Sequence, residues 1–365
     1  MTLIKEVISS LEKLAPPSLQ ESYDNSGLLI GDEQKKISGV LLCLDVTEEI
    51  VNEAVRRKCN LIVSHHPLLF SPLKRITGKN YVERCVIKAI EKEIAVYAIH
   101  TNLDNVLTGV NKKIADKLGL INTRILKPMP GLLKKLVMFC PLKNVDKVRQ
   151  ALFDAGAGRI GNYDECSFNI QGTGTFRGSQ STNPFVGKKG IQHHEQEERI
   201  EMIFESFRQS EIISALLKAH PYEEVAYDIY PIDNIHQNIG AGMIGDLKKP
   251  VSEISFLKSV KKNMKAVSVR HTKLREKNVQ RVAVCGGSGN FLLQDAIRVG
   301  ADVFVTADFK YHQFFDAEGK IVIADIGHYE SEQFTTEILR DFLSDNFSTF
   351  AVRLAETVTN PIQYL

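Results

Sequence analysis

The chain has 365 residues, 43% hydrophobic and 25% charged, which excludes a largely disordered protein and gives a prior of about two domains. Its 46 basic and 44 acidic residues leave a formal charge of +2, so a dedicated nucleic-acid binder, which carries a clear basic excess, is disfavoured. No apolar run reaches the roughly 20 residues of a membrane helix, and the six cysteines are scattered with no C-x-x-C, which suits a reducing cytosol.

Residues 1–8 are charged early and apolar at helical spacing, an amphipathic helix rather than a signal peptide. Tyr23-Asp24-Asn25-Ser26-Gly27 then reads as a turn, with Asn25 free to face a cleft. Apolar runs at 40–44, 61–63 and 94–99 predict strands, and 48–58 and 81–92 predict helices. Continuous apolar strands separated by helices indicate a largely parallel α/β sheet.

The middle of the chain reads differently. Pro128-Met129-Pro130-Gly131 breaks the pattern. Strands at 135–140, 165–172, 199–205 and 226–230 and helices at 145–155 and 211–218 then follow in the order βαββαβ, the ferredoxin-like plan. The polar stretch 174–198 reads as a long mobile loop. His193-His194-Glu195 falls inside it and reads as solvated loop.

From about residue 238 the first pattern returns, with strands at 281–285, 301–305 and 321–326 and a helix at 291–299. Residues 59–66 align with 300–307, and 94–99 with 321–326. The fold class is therefore α/β, with duplicated halves forming a cleft and an α+β domain inserted between them. The expected domains are 1–127, 128–236 and 237–365.

Strand ends carry the chemistry, because ligands bind at the carboxyl ends of strands in such sheets. His65-His66 follows one strand and precedes Pro67. The pair reads equally as ligands for one or two metals or as two polar residues at a surface turn. His328-x-x-x-Glu332 follows a strand of the second half, and its spacing sets both side chains on one face if a helix starts there. His100-x-x-x-Asp104 follows the corresponding strand of the first half, so Asp104 and Glu332 are expected to face each other. Two facing carboxylates suit a two-metal site that activates water. His100 is expected to be a ligand or, preferably, a group that orients Asp104. Asp308, Lys310 and His312 end another strand and are candidates for substrate contact. Cys285-Gly286-Gly287-Ser288-Gly289 lacks a complete G-x-G-x-x-G and reads as a tight turn with some capacity to bind an anion.

The runs 64–67, 100–104, 306–312 and 327–332, with 23–28, resemble the NIF-three-like proteins, often called GTP cyclohydrolase I type 2 homologues, and the resemblance covers the chain from end to end. The middle domain, with Ala219-His220-Pro221-Tyr222-Glu223-Glu224, is similar to the CutA and PII-like insert of the longer bacterial members. The resemblance implies a dinuclear metal site made by His65, His66, Asp104, His328 and Glu332. The two divalent ions are left open among zinc, iron, manganese and nickel. It also implies a cytoplasmic, toroidal homohexamer capped by the inserts, and a metal-dependent hydrolase acting on a nucleotide or another small molecule. The alternative is a non-enzymatic, metal-binding regulatory assembly in which the insert senses a ligand.

Overall fold

In the computed structural model, which describes residues 2–365, the chain divides into two units. One is Met1–Pro128 with Asn238–Leu365, the other Met129–Gln237. The first unit opens with α1 (Ile4–Leu14), β1 (Gly27–Ile30), β2 (Gly39–Cys43), α2 (Glu48–Arg56) and β3 (Leu61–Ser64). It continues with α3 (Tyr81–Glu91), β4 (Ala95–Ala98), α4 (Thr101–Asp104), α5 (Val110–Lys117) and β5 (Ile121–Pro128). The second unit holds β6 (Leu133–Pro141), α6 (Val145–Asp154), β7 (Phe168–Phe176), β8 (His193–Glu205), α7 (Gln209–Ala219) and β9 (Tyr227–Pro231). The first unit resumes with β10 (Gly240–Ser252), α8 (Glu253–Asn263), β11 (Arg270–His271), β12 (Asn278–Ser288) and α9 (Leu293–Arg298). It closes with β13 (Val303–Ala307), β14 (Val322–Asp325), α10 (His328–Glu332), α11 (Thr335–Asn346) and β15 (Ala351–Leu354).

The first unit contains two mixed sheets. One has the order β1-β4-β3-β2-β15, the other β11-β14-β13-β12-β10-β5. In each, three adjacent strands run parallel (β2, β3, β4 and β12, β13, β14), and a short strand pairs antiparallel with the third of them. Strands β2, β3, β4, β13 and β14 are buried at every residue, which is why they read as unbroken apolar runs. Helix α2 starts where Thr47 caps the Ile50 amide, and α3 where Asn80 caps that of Glu83.

Equivalent hydrogen bonds fix how the two sheets correspond. Ala95 N donates to Asn60 O as Val322 N donates to Asp302 O, and Ile99 N to Ser64 O as Ile326 N to Thr306 O. Asn60 thus matches Asp302, and His66 matches Asp308. The expected alignment of 59–66 with 300–307 is off by one residue. Runs without a period-two alternation carry no register signal, so the slip was invisible in the sequence.

Two strands change sheets. β5 follows the first set of elements yet pairs with β10 in the second sheet, and β15 follows the second set yet pairs with β2 in the first. Neither strand is anticipated by the sequence analysis.

The second unit is a four-stranded antiparallel sheet of order β7-β8-β6-β9, with α6 and α7 packed on an apolar core that includes Leu136, Met138, Val148, Leu152, Ile200, Met202, Ile212 and Leu216. The expected loop over 174–198 is corrected here. β7 and β8 run from Phe168 to Phe176 and from His193 to Glu205, leaving only residues 177–192 between them. His193, His194 and Glu195 are strand residues paired with Phe176, Thr175 and Gly174. Their polar side chains hid a strand that cross-strand pairing holds.

Candidate metal centre

Backbone pairing aims the ligands. Beyond β3, His65 N donates to Cys43 O and His66 N to Leu44 O, while Ser64 Oγ donates to His66 O at 2.8 Å. Both imidazoles therefore leave the strand end in fixed directions. Beyond β4, His100 precedes α4, whose last residue is Asp104. Beyond β14, Gly327 at φ 93° makes the sharp entry to α10, and a Cβ there would lie 2.3 Å from Glu330 Oε2. One turn of α10 then carries His328 and Glu332 on the same face.

These side chains converge. Glu332 Oε2 lies 2.9 Å from His66 Nε2, 3.1 Å from His328 Nε2 and 3.8 Å from His65 Nε2. Asp104 Oδ1 lies 3.7 Å from His65 Nε2. Three sets, His65/His66/His100, His66/His328/Glu332 and His65/Asp104/Glu332, each bring their ligand atoms within 4.8 Å of one another.

Each ring is held from behind. His65 Nδ1 sits 2.9 Å from Ile99 O, His66 Nδ1 2.7 Å from Asp45 Oδ1, His100 Nδ1 2.8 Å from Asp24 Oδ1 and His328 Nδ1 2.6 Å from Asp308 Oδ2. A carbonyl or carboxylate only accepts, so every Nδ1 is the donor. In the neutral ring, Nε2 then presents its lone pair to the centre. His66 Nε2 and His328 Nε2 stand 3.2 Å apart, a distance at which two lone pairs need a proton or cation between them.

The electrostatics say the same. Burial opposes protonation of His66, but its hydrogen bonds to Asp45 and Glu332 outweigh that and raise the ring to about 9. Burial likewise opposes protonation of His328, and Asp308 and Glu332 together raise it to about 11. Burial, then repulsion from Glu332, pushes Asp104 up to about 7. Burial alone would raise Glu332, yet hydrogen bonding to His328 and His66, with the His65 ring close by, holds its carboxyl well below the usual range. His65 Nε2 and Asp104 Oδ1 are buried with no hydrogen-bond partner among the described residues. Buried polar atoms are rarely left so. A donor set of imidazole and carboxylate with orphaned atoms at its centre fits divalent metal ions.

The cluster opens into a cavity of about 760 Å³. Its wall is largely apolar and aromatic, with Leu44, Leu68, Phe70, Tyr81 and Phe291, and it includes Thr359, Asn360 and Ile362 from the segment after β15.

Several expected roles change. The His100 ring bonds to Asp24 and not to the Asp104 carboxylate; the Asp104 amide donates to the His100 carbonyl within the same turn. Asp308 reaches the centre only by holding His328. Lys310 and His312 do not line the cavity; His312 stacks on Phe315. Asn25 donates to Leu69 O and lines a neighbouring groove. The amides of Gly286 and Gly287 are taken by Asn111 Oδ1 and Ser331 Oγ, which removes two of the donors an anion cradle there would use. By the same register, Asp104 matches Ser331 and Glu332 matches Asn105, one residue apart as the sequence placed them.

Asp45 and Asp24 were missed by the sequence analysis. Asp45 had a signal, since it too follows an apolar strand end. Asp24 looked like an ordinary turn residue. It is in fact buried and accepts from His100 Nδ1, Thr101 N and Thr101 Oγ1. Burial raises its carboxyl, and those hydrogen bonds bring it far below the usual range.

A model of the Duf34/NIF3 (NGG1p interacting factor 3) family matches residues 2–361. A Halalkalibacterium halodurans protein named GTP cyclohydrolase 1 type 2 homolog is 40% identical, with 98% of each chain covered. A Bacillus subtilis protein of the same name is 37% identical, over 99% of this chain and 98% of its own. Among solved structures, a Bacillus cereus protein related to NIF3 superposes with a TM-score of 0.87 at 38% identity, covering 100% of this chain and 99% of that one.

Proposed function

Because the chain belongs to the Duf34/NIF3 family, we propose that it is a metal-dependent hydrolase holding two divalent cations with His65, His66, Asp104, His328 and Glu332. The observation that carries this reading is the pair of buried, unpartnered atoms, His65 Nε2 and Asp104 Oδ1, beside a carboxylate that faces three imidazoles. When bound, such ions would polarise the substrate and make a water acidic enough to attack near neutral pH. The chain's own share is positional. Asp45, Asp308 and the Ile99 carbonyl keep the rings in the tautomer that presents Nε2. The apolar wall limits bulk water and suits a flat ring such as a nucleobase, which, with the name the relatives carry, supports a nucleotide or a similar small molecule as the proposed substrate.

The matching strand directions of the two sheets support their reading as duplicated halves. The βαββαβ order and the sheet order of the second unit support its reading as a ferredoxin-like, CutA/PII-like insert. A cytoplasmic toroidal homohexamer is part of the same proposal, and solution mass tests the assembly.

The test is metal content per chain by mass spectrometry on untagged protein purified without chelator. His66→Ala and Glu332→Ala are measured beside it. Near two ions in the wild type, falling in both variants, supports the centre. A nucleotide panel then follows, with turnover expected to stop in Asp104→Ala. Metal content that neither variant changes overturns the ligand assignment. A loaded centre with no turnover moves the weight to a regulatory metal-binding assembly.

A further inference from the structure

The segment after β15 is tied down at three places. Glu53 on α2 is fully buried, and its carboxylate accepts from Arg57 Nη1 at 2.8 Å, Glu356 N at 2.9 Å, Thr357 N at 3.0 Å and Thr357 Oγ1 at 2.7 Å. Two residues on, Thr359 Oγ1 donates to Asp45 Oδ2 at 2.7 Å. The other oxygen of that carboxylate holds His66 Nδ1. The next residue, Asn360, donates from Nδ2 to Glu330 Oε1 at 3.3 Å. Glu330 is buried on α10, between His328 and Glu332. Two neighbouring residues thus touch the supports of ligands from both sheets, and both line the cavity.

We propose that Thr359 and Asn360 are positioning residues of the metal centre. Thr359 orients Asp45 and through it His66, and Asn360 fixes the helical turn that carries His328 and Glu332. The inference rests on the metal-binding reading above. The physical ground is the freedom of a carboxylate. One hydrogen bond, from His66, leaves Asp45 able to rotate about its side-chain torsions. A second donor on the other oxygen fixes its plane, and with it the imidazole behind which it stands. Glu53 supplies the anchor that makes the segment a reliable donor.

The experiment titrates cobalt(II) into metal-stripped full-length protein and reads the d–d absorption of the bound ion. Thr359→Val removes the hydroxyl at constant shape, and Thr359→Ser restores it. Thr357→Val is the control, since it removes a hydrogen bond of the same segment to Glu53 and leaves Asp45 untouched. Thr359→Val is expected to weaken cobalt binding about tenfold, the lower end of the loss on removing a group behind a ligand. The weakening should disappear in an Asp45→Asn background, and Asn360→Ala should alter the absorption band as well as the affinity. Thr359→Ser should bind close to wild type, and the Tm of metal-free Thr359→Val should fall no further than that of Thr357→Val. Wild-type affinity in Thr359→Val, or an equal loss in Thr357→Val, overturns the proposal while leaving the metal centre standing. A wild-type protein that takes up no cobalt overturns the metal reading itself.

Discussion

Gly287 offers a sharp test of how the centre is built. It sits at φ 60°, next to the turn that carries Glu332. A Cβ built there would lie 2.3 Å from Glu332 Oε1 and 3.2 Å from His328 Cε1. For ordinary contact the carboxylate oxygen must retreat by about 1 Å, more than a metal site tolerates. Gly287→Ala therefore carries two costs. The left-handed backbone costs about 1–2 kcal/mol for any residue with a Cβ, and the displaced carboxylate weakens metal binding by about 100-fold or more. Gly300→Ala separates them. Gly300 has φ 74° with nothing within 4 Å of its Cβ, so it reports the backbone cost alone. Thermal unfolding of the two metal-free variants should show a larger loss in Gly287→Ala, the excess over Gly300→Ala reporting the displaced carboxylate, and chelator competition should show weak metal only in Gly287→Ala. Wild-type metal affinity in Gly287→Ala would refute the placement of Glu332 at the core of the centre.

Three further outcomes are expected. In metal-free protein the raised pKa of His66 contributes stability that is fully present below pH 6.5 and is lost as pH rises through about 9, so the Tm of chelated protein should fall across that window; the fall should shrink in His66→Ala, and a flat profile in the wild type counts against the charge assignment. Asp308→Asn takes the carboxylate from His328 Nδ1 and should weaken metal binding about tenfold by chelator competition. Glu53→Ala leaves Arg57 and the amides of Glu356 and Thr357 without their acceptor and should cost about 3–5 kcal/mol in urea unfolding, as loss of one partner of a buried ion pair does.

How much of this was legible in the sequence follows from where each signal resides. Strands buried on both faces announce themselves as apolar runs, so β2, β3, β4, β13 and β14 were readable, and with them the strand ends that carry His65, His66, His100 and His328. Register was not readable, because such runs have no alternation to count. The crossing of β5 and β15 was not readable either. Their partners lie far away in sequence, and pairing choice leaves no local trace. The supports behind the ligands divide in the same way. Asp45 followed the strand-end rule and could have been found. Asp24 was hidden by an adequate turn explanation. Thr359 and Asn360 have no pattern of their own, and only the folded chain brings them to Asp45 and Glu330.

The pairing of β5 with β10 has a consequence for how the chain could acquire its second unit. Pro128 and Gly240, which flank residues 129–237, are cross-strand partners in the sheet of the first unit. The chain leaves and returns at adjacent positions, about 5 Å apart as neighbouring strands are. Whatever spans that gap is, to the host sheet, one hairpin connection. Loop-closure entropy rises by about 0.6 kcal/mol for each doubling of length, so replacing a short turn by a chain of this length would cost the host about 3 kcal/mol if the chain were unfolded; a folded unit whose ends lie side by side removes most of that cost. The rung also bears on the metal centre, because Gly240 N donates to the carbonyl of Asn105, the neighbour of Asp104, and Ala241 and Gly242 line the cavity, so the host must hold that rung fixed whatever spans the gap.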